Sequence, residues 1–125
     1  MTVKMNGKDV EWEDPPKGDF LTDVKIKVLW RDEKTGAYFR LIKIPVGIDH
    51  ELRHIHPEAS HWSFIVSGEA ELANGTKMTA SEDNYVFLYN PKGEEHGLKG
   101  IKYTKEFVVL QYFDGPPTRV SRAYP

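Results

Sequence analysis

The segment His54-Ile55-His56-Pro57-Glu58-Ala59-Ser60-His61-Trp62-Ser63-Phe64-Ile65-Val66-Ser67-Gly68 carries three of the five histidines in the chain. His54 and His56 stand two apart, and in an extended strand residues i and i+2 point to one face, roughly 7 Å apart along it. Both imidazoles can therefore reach one ion. Pro57 to Ser60 breaks the strand and can turn the chain, so that the next strand brings the imidazole of His61 back to the same place. A fourth histidine, His96, lies far downstream.

Outward from this segment the chain reads as short strands separated by turns. On its N-terminal side, Val24 to Trp30 alternates as a half-buried strand, and Arg31 to Gly36 is a charged loop. Ala37 to Val46 is β-branched and aromatic and is stopped by Pro45 and Gly47. The segment itself supplies strands over Leu52 to His56 and Trp62 to Ser67. On its C-terminal side Glu69 to Ala73 and Lys77 to Ala80 flank Asn74-Gly75, which predicts a hairpin with a tight type I′ turn. Tyr85 to Tyr89, a short strand carrying His96, and the long run Tyr103 to Phe113 follow. Residues 1–19 hold Asn6-Gly7, Asp14-Pro15-Pro16 and Lys17-Gly18, turn signals around one short strand near Val10 to Trp12. No stretch keeps a helical period over three turns, so the pattern predicts an all-β barrel or sandwich.

Length and composition bound the possibilities. The 125 residues fit one domain. Three Trp, six Tyr and six Phe spread along the chain argue against disorder. Seventeen basic and 19 acidic residues give a net charge of −2 without long blocks of either sign, so no footprint for nucleic acid or an anionic membrane is present. No cysteine occurs, which excludes disulfides, thiolate ligands and cysteine nucleophiles and leaves nitrogen and oxygen to hold any metal. With no long apolar run, the expected setting is the cytoplasm.

The segment resembles the first cupin motif, G-x5-H-x-H-x3or4-E-x6-G, and Pro91-Lys92-Gly93-Glu94-Glu95-His96 is similar to the second, G-x5-P-x-G-x2-H-x3-N. This resemblance implies a small cupin β-barrel, the double-stranded β-helix or jelly roll, over residues 20–113, with an N-terminal arm at 1–19 and a C-terminal tail at 114–125. It also implies that His54, His56 and His96 are metal ligands. His61 stands where the pattern has glutamate, which makes it a fourth ligand or a neighbour hydrogen-bonded to a ligand ring. Tyr85 takes the place of the leading Gly of the second motif, Gly100 that of its terminal Asn, and Gly47 is one residue further from His54 than the pattern asks.

A shell of four neutral imidazoles leaves the double charge of a metal ion uncompensated, which favours an anionic ligand. It selects Fe, Ni, Cu or Zn over magnesium and calcium. Leu29 to Ala37, with Pro45-Val46-Gly47 ahead of His-x-His, resembles a narrower group, the acetylacetone-cleaving dioxygenases and the cupin-like domain of zinc anti-sigma factors. That group implies a single metal, often iron, chelated by a β-diketone or related enolate that oxygen attacks.

Strand parity nominates pocket residues. With His61 inward, Ser63 and Ile65 share its face, while Trp62 and Phe64 point to packing or a dimer contact. Leu98 follows His96 inward, and Phe87, Tyr89, Phe107, Tyr112 and Arg40 are further candidates for the lining. An inward Arg40 would clamp a carboxylate or enolate; an outward one is a solvated charge. Glu58, Glu94, Glu95 and His50 are expected in solvent.

These residues support an enzyme, a metal-dependent dioxygenase acting on a small β-dicarbonyl or other oxygen-rich substrate. The alternative is a non-catalytic metal or small-ligand sensor, which a closed four-histidine shell would suit. Isomerisation of a sugar or keto acid is a third chemistry the fold could host, and a storage or lectin-like module would need no ligand set. The family resemblance further implies a homodimer.

Overall fold

In the computed structural model, which describes residues 2–17, 23–48, 53–96 and 100–122, nine strands account for nearly all the regular structure. They are β1 (Lys25–Arg31), β2 (Tyr38–Ile44), β3 (Gly47–Ile48), β4 (Arg53–Ile55), β5 (His61–Glu71), β6 (Lys77–Ala80), β7 (Val86–Asn90), β8 (Lys102–Phe113) and β9 (Val120–Arg122). The larger sheet runs β1-β2-β8-β5-β6, with β3 also on β8 and β7 also on β5, and every pairing is antiparallel. A two-stranded sheet joins β4 to β9. The all-β expectation is met.

β8 is the centre of this arrangement: it pairs with β2, β3 and β5 and buries four large side chains on one face. Tyr103, Phe107, Val109 and Phe113 are buried, and they pack with Ile65 and Ala70 of β5, Ala80, Ile101, Tyr38 and Ala59. Burying a side chain such as Ile65 or Phe113 contributes about 1.5–3 kcal/mol each. Tyr38, Ala59 and Phe113 form a cluster of their own beside the main one, and a further cluster of Val24, Ile26 and Ile42 closes the β1–β2 side.

Some local features differ from the sequence reading. The two strands expected on either side of Gly68 form the single strand β5. Gly68 has φ +115°, and a Cβ there would come within 2.5 Å of the Glu106 carbonyl oxygen, so a glycine lets β5 continue through the irregular register with β8. The Asn74-Gly75 hairpin is present, but its turn is not type I′, since only Gly75 takes a positive φ there. Gly75 N–H donates to the Leu72 carbonyl and Leu72 N–H to that of Thr76, the pattern of a turn followed by a left-handed residue. In place of a strand at Val10 to Trp12, a 3-10 turn at Gly7–Asp9 leads to a one-residue bridge between Glu13 and Ile26. Buried Lys27 ties this segment down by donating to the Gly7 carbonyl and lying over the Trp12 ring.

Candidate metal centre

Pairing between the two histidine segments builds the centre. His54 N–H donates to the His96 carbonyl and His96 N–H to the His54 carbonyl, both at 2.9 Å, so the two residues form a bridge and their rings stand 4.0 Å apart. Among the described residues, His96 is thus held by this bridge and not by a strand of its own. The turn after His56 is fixed from two sides. Gly93 N–H donates to the His56 carbonyl, Lys92 N–H to Ser60 Oγ, and Ser60 N–H to Asp114 Oδ1.

His54, His56 and His96 bring three ligand nitrogens within 4.8 Å of one another. His56 Nδ1 is 2.9 Å from the Thr118 carbonyl and His96 Nδ1 is 3.1 Å from that of Glu94. A carbonyl only accepts, so each Nδ1 carries the proton and each Nε2 keeps a lone pair. His96 Nε2 is buried with no hydrogen-bond partner. Such a trio fits a transition-metal ion by donor type and proximity, and for His56 and His96 by tautomer.

His61 enters from β5 and is not part of the trio. Its ring lies 4.9 Å from those of both His56 and His96 and stacks on Phe113 at 4.8 Å. Its Nδ1 is buried without a hydrogen-bond partner. Burial lowers the pKa of His61 to about 3, helped by the neighbouring histidines and Arg40. Burial also lowers His56 to about 4 against the raising effect of the Thr118 carbonyl, and it lowers His96. These three rings are therefore neutral at physiological pH, the form in which imidazole binds a metal.

The histidines stand at one end of a cavity of about 450 Å3. Cross-strand register orders its wall into rows. Tyr38, Phe113, His61 and Asn90 lie side by side on β2, β8, β5 and β7. The next inward row is Arg40, Gln111, Ser63 and Leu88, and the one after is Ile42, Val109, Ile65 and Val86. Arg40 is 6% exposed; its Nε donates to Gln111 Oε1 at 2.9 Å, and Gln111 Nε2 donates to Ser63 Oγ at 3.2 Å. The guanidinium also lies 5.0 Å from the centroid of Phe113.

Of the pocket candidates, Arg40, Ser63, Ile65 and Phe107 line this cavity, and Tyr89, half exposed, borders it while its ring lies against Trp62 on the outer face. Phe87 and Tyr112 do not. Both sit on the opposite face of their strands, Phe87 against Phe64 and Tyr112 between Phe39 and Trp62, because the register places their neighbours Leu88 and Phe113 inward. Leu98 and His50 fall outside the described residues. Glu95, expected in solvent, is exposed and also borders the cavity. Glu58 accepts from Thr118 Oγ1, beside the carbonyl that orients His56. Sequence reasoning missed Thr118, Gln111, Phe113 and Arg119. A backbone carbonyl leaves no trace in residue identity, and the run Phe107 to Phe113 is apolar at even and odd positions alike, so its inward face could not be read from it.

A family model described as a domain of unknown function, DUF4437, matches residues 1–112. The chain belongs to that family. No curated protein matches the sequence. Among solved structures, the DUF4437 chain is similar to an acetylacetone dioxygenase from Acinetobacter johnsonii, at 17% identity and a TM-score of 0.65 over 92% of this chain and 74% of that one. It is similar to an RmlC-like cupin from Shewanella frigidimarina, at 18% identity and 0.62 over 94% and 93% of the two chains. The polyketide cyclase RemF from Streptomyces resistomycificus matches at 15% identity and 0.66 over 100% and 88%. This DUF4437 member therefore has the cupin fold, as the two histidine motifs implied. No helix among its described residues is long and apolar enough to cross a membrane.

Proposed function

We propose that this protein is a mononuclear metal-dependent dioxygenase acting on a small β-dicarbonyl or other oxygen-rich substrate. The observation that carries the reading is the cluster of His54, His56 and His96 at one end of a cavity sized for a small molecule. His61 is proposed as the fourth ligand, supported by its buried, partnerless Nδ1 one ring away from His56 and His96. A bound Fe, Ni, Zn or Cu ion would supply Lewis-acid stabilisation of an enolate and, for iron, nickel or copper, chemistry with dioxygen. The chain itself does the rest. Carbonyls of Thr118 and Glu94 hold the proton of His56 and His96 away from the metal side. Phe113 backs the histidines, and Ile65, Val109 and Phe107 exclude water from the far end of the cavity.

Iron-loaded protein is expected to consume oxygen in the presence of a β-dicarbonyl such as acetylacetone. The His54→Ala, His56→Ala double variant should hold less than about a tenth of the metal, as loss of ligands predicts. Equal metal in both proteins would sink the centre. Full metal with no oxygen uptake across a dicarbonyl panel would favour the second reading, a non-catalytic sensor, which a closed four-histidine shell supports. The expected homodimer has a candidate surface in the outer face of the large sheet. There Trp30, Phe39, Tyr112, Trp62 and Tyr89 form a continuous row of ring contacts from β1 to β7.

A further inference from the structure

The polar row behind the histidines has no part in holding a metal. Arg40, Gln111 and Ser63 are direct cross-strand neighbours on β2, β8 and β5, and each hydrogen-bonds the next. Around them the inward positions are largely apolar or aromatic: Leu88 ends the same row, Ile42, Val109 and Ile65 form the row on one side, and Tyr38, Phe113 and His61, with the polar Asn90 at its end, form the row on the other. A buried charge in such a wall is costly to keep, and Arg40 gives up much of its freedom as well. Gln111 holds its Nε edge, while the Phe113 and Tyr38 rings lie 5.0 and 5.9 Å from the guanidinium carbon. Packing alone would be better served by an aliphatic residue, as at Ile42 one inward position along the same strand.

The electrostatics of the cavity point the same way. Its described lining carries two guanidiniums, Arg40 and Arg119, and one carboxylate, Glu95, which is exposed. The wall is cationic before any metal is added. Phe113 touches His56 and His61 with the same ring over which Arg40 lies, so the guanidinium is one aromatic ring from the histidine cluster. Beyond the polar row lie Ile65, Val109 and Phe107, a pocket end that takes hydrocarbon.

We propose that Arg40, oriented by Gln111 and Ser63, anchors a carboxylate, so that the ligand of this cavity is a small oxo-acid anion with its ketone oxygen toward the histidines and its apolar end against Ile65, Val109 and Phe107. This rests on the ligand site proposed above and narrows its substrate class from dicarbonyls in general to those bearing a carboxylate. Arginine presents a planar fork to a carboxylate, a geometry that a ketone oxygen cannot use as fully. Gln111 and Ser63 act through Arg40 and are positioning residues.

Acetoacetate and acetylacetone test this, because they share the β-dicarbonyl frame and differ in a carboxylate against a methyl ketone. Binding of each is measured by calorimetry at pH 7.5, on the metal-free protein and on protein loaded with redox-inert zinc. The wild type should prefer acetoacetate by about tenfold or more. Arg40→Gln should bring the ratio close to one while leaving acetylacetone affinity nearly unchanged, and Arg40→Lys should retain a few-fold preference. No preference in the wild type overturns the proposal without any variant having to fold. So does a preference that survives Arg40→Gln. Failure to take up zinc would count against the histidine centre alone, and the Arg40-dependent preference in metal-free protein would still decide this inference.

Discussion

Alternate residues of β5 face two different worlds. His61, Ser63 and Ile65 point inward and are buried, yet two of the three are polar; Trp62 and Phe64 point outward and carry large rings, Phe64 with 44% of its surface exposed. The split continues across neighbouring strands. Inside are Gln111 and Arg40, outside are Tyr112, Leu110, Phe39 and Leu41. A soluble domain ordinarily does the reverse, burying hydrocarbon and exposing polar groups. The inversion teaches what each face is for. Buried polar groups are ordinarily hydrogen-bonded, as the Arg40-Gln111-Ser63 row is, and a continuous exposed aromatic row is the kind of surface a partner would cover.

The sharpest way to probe the inner face is acid. His56 and His61 are held neutral by burial, with pKa values lowered to about 4 and about 3 from the ordinary 6.5. Below about pH 6.5 the unfolded chain takes up protons that the folded chain refuses, so stability falls with falling pH. For His56 the loss continues until about pH 4, where both states are protonated, and amounts to on the order of 3 kcal/mol. Urea denaturation of metal-free protein from pH 7 to 4 should record it. A flat profile would mean that these rings are not buried neutral.

Next in size is the point where the two faces are kept in phase. Gly68→Ala places a Cβ against the Glu106 carbonyl and forces alanine into φ +115°. A loss of about 3 kcal/mol is expected in chemical denaturation, and a neutral substitution would show that β5 and β8 separate easily there. The smallest effect belongs to the outer face. Phe64→Ser with Phe87→Ser should change monomer stability by less than about 1 kcal/mol and leave metal content unchanged, while shifting a dimer to monomer in sedimentation. Wild type that is monomeric at micromolar concentration would remove the dimer from the reading.

Much of the inner face was legible because histidine spacing fixes a phase. Once His61 is set inward, Ser63 and Ile65 follow, and no bulge intervenes between them and that histidine. On β8 and β7 no such marker exists. Tyr112 and Phe113, or Phe87 and Leu88, are equally apolar neighbours, and period-two alternation cannot say which of a pair is inside without an anchor. Only pairing with β5 supplies it. The trio itself was anticipated residue by residue from the motifs, whereas the carbonyls of Thr118 and Glu94 were invisible because every residue type has one. Asn74-Gly75 announced a hairpin correctly and its turn type incorrectly, since Asn74 does not take up the positive φ that a type I′ turn needs.

The link from His56 Nδ1 to the Thr118 carbonyl spans 62 residues of sequence. During synthesis, then, the imidazole leaves the ribosome well before the group that fixes its tautomer, and His96 with its pairing to His54 is also late. The Thr118 contact can therefore form only once residue 118 has emerged. If the proposed centre holds an ion, the choice of that ion would thereby be deferred to the completed barrel, among whatever metals the surroundings then offer.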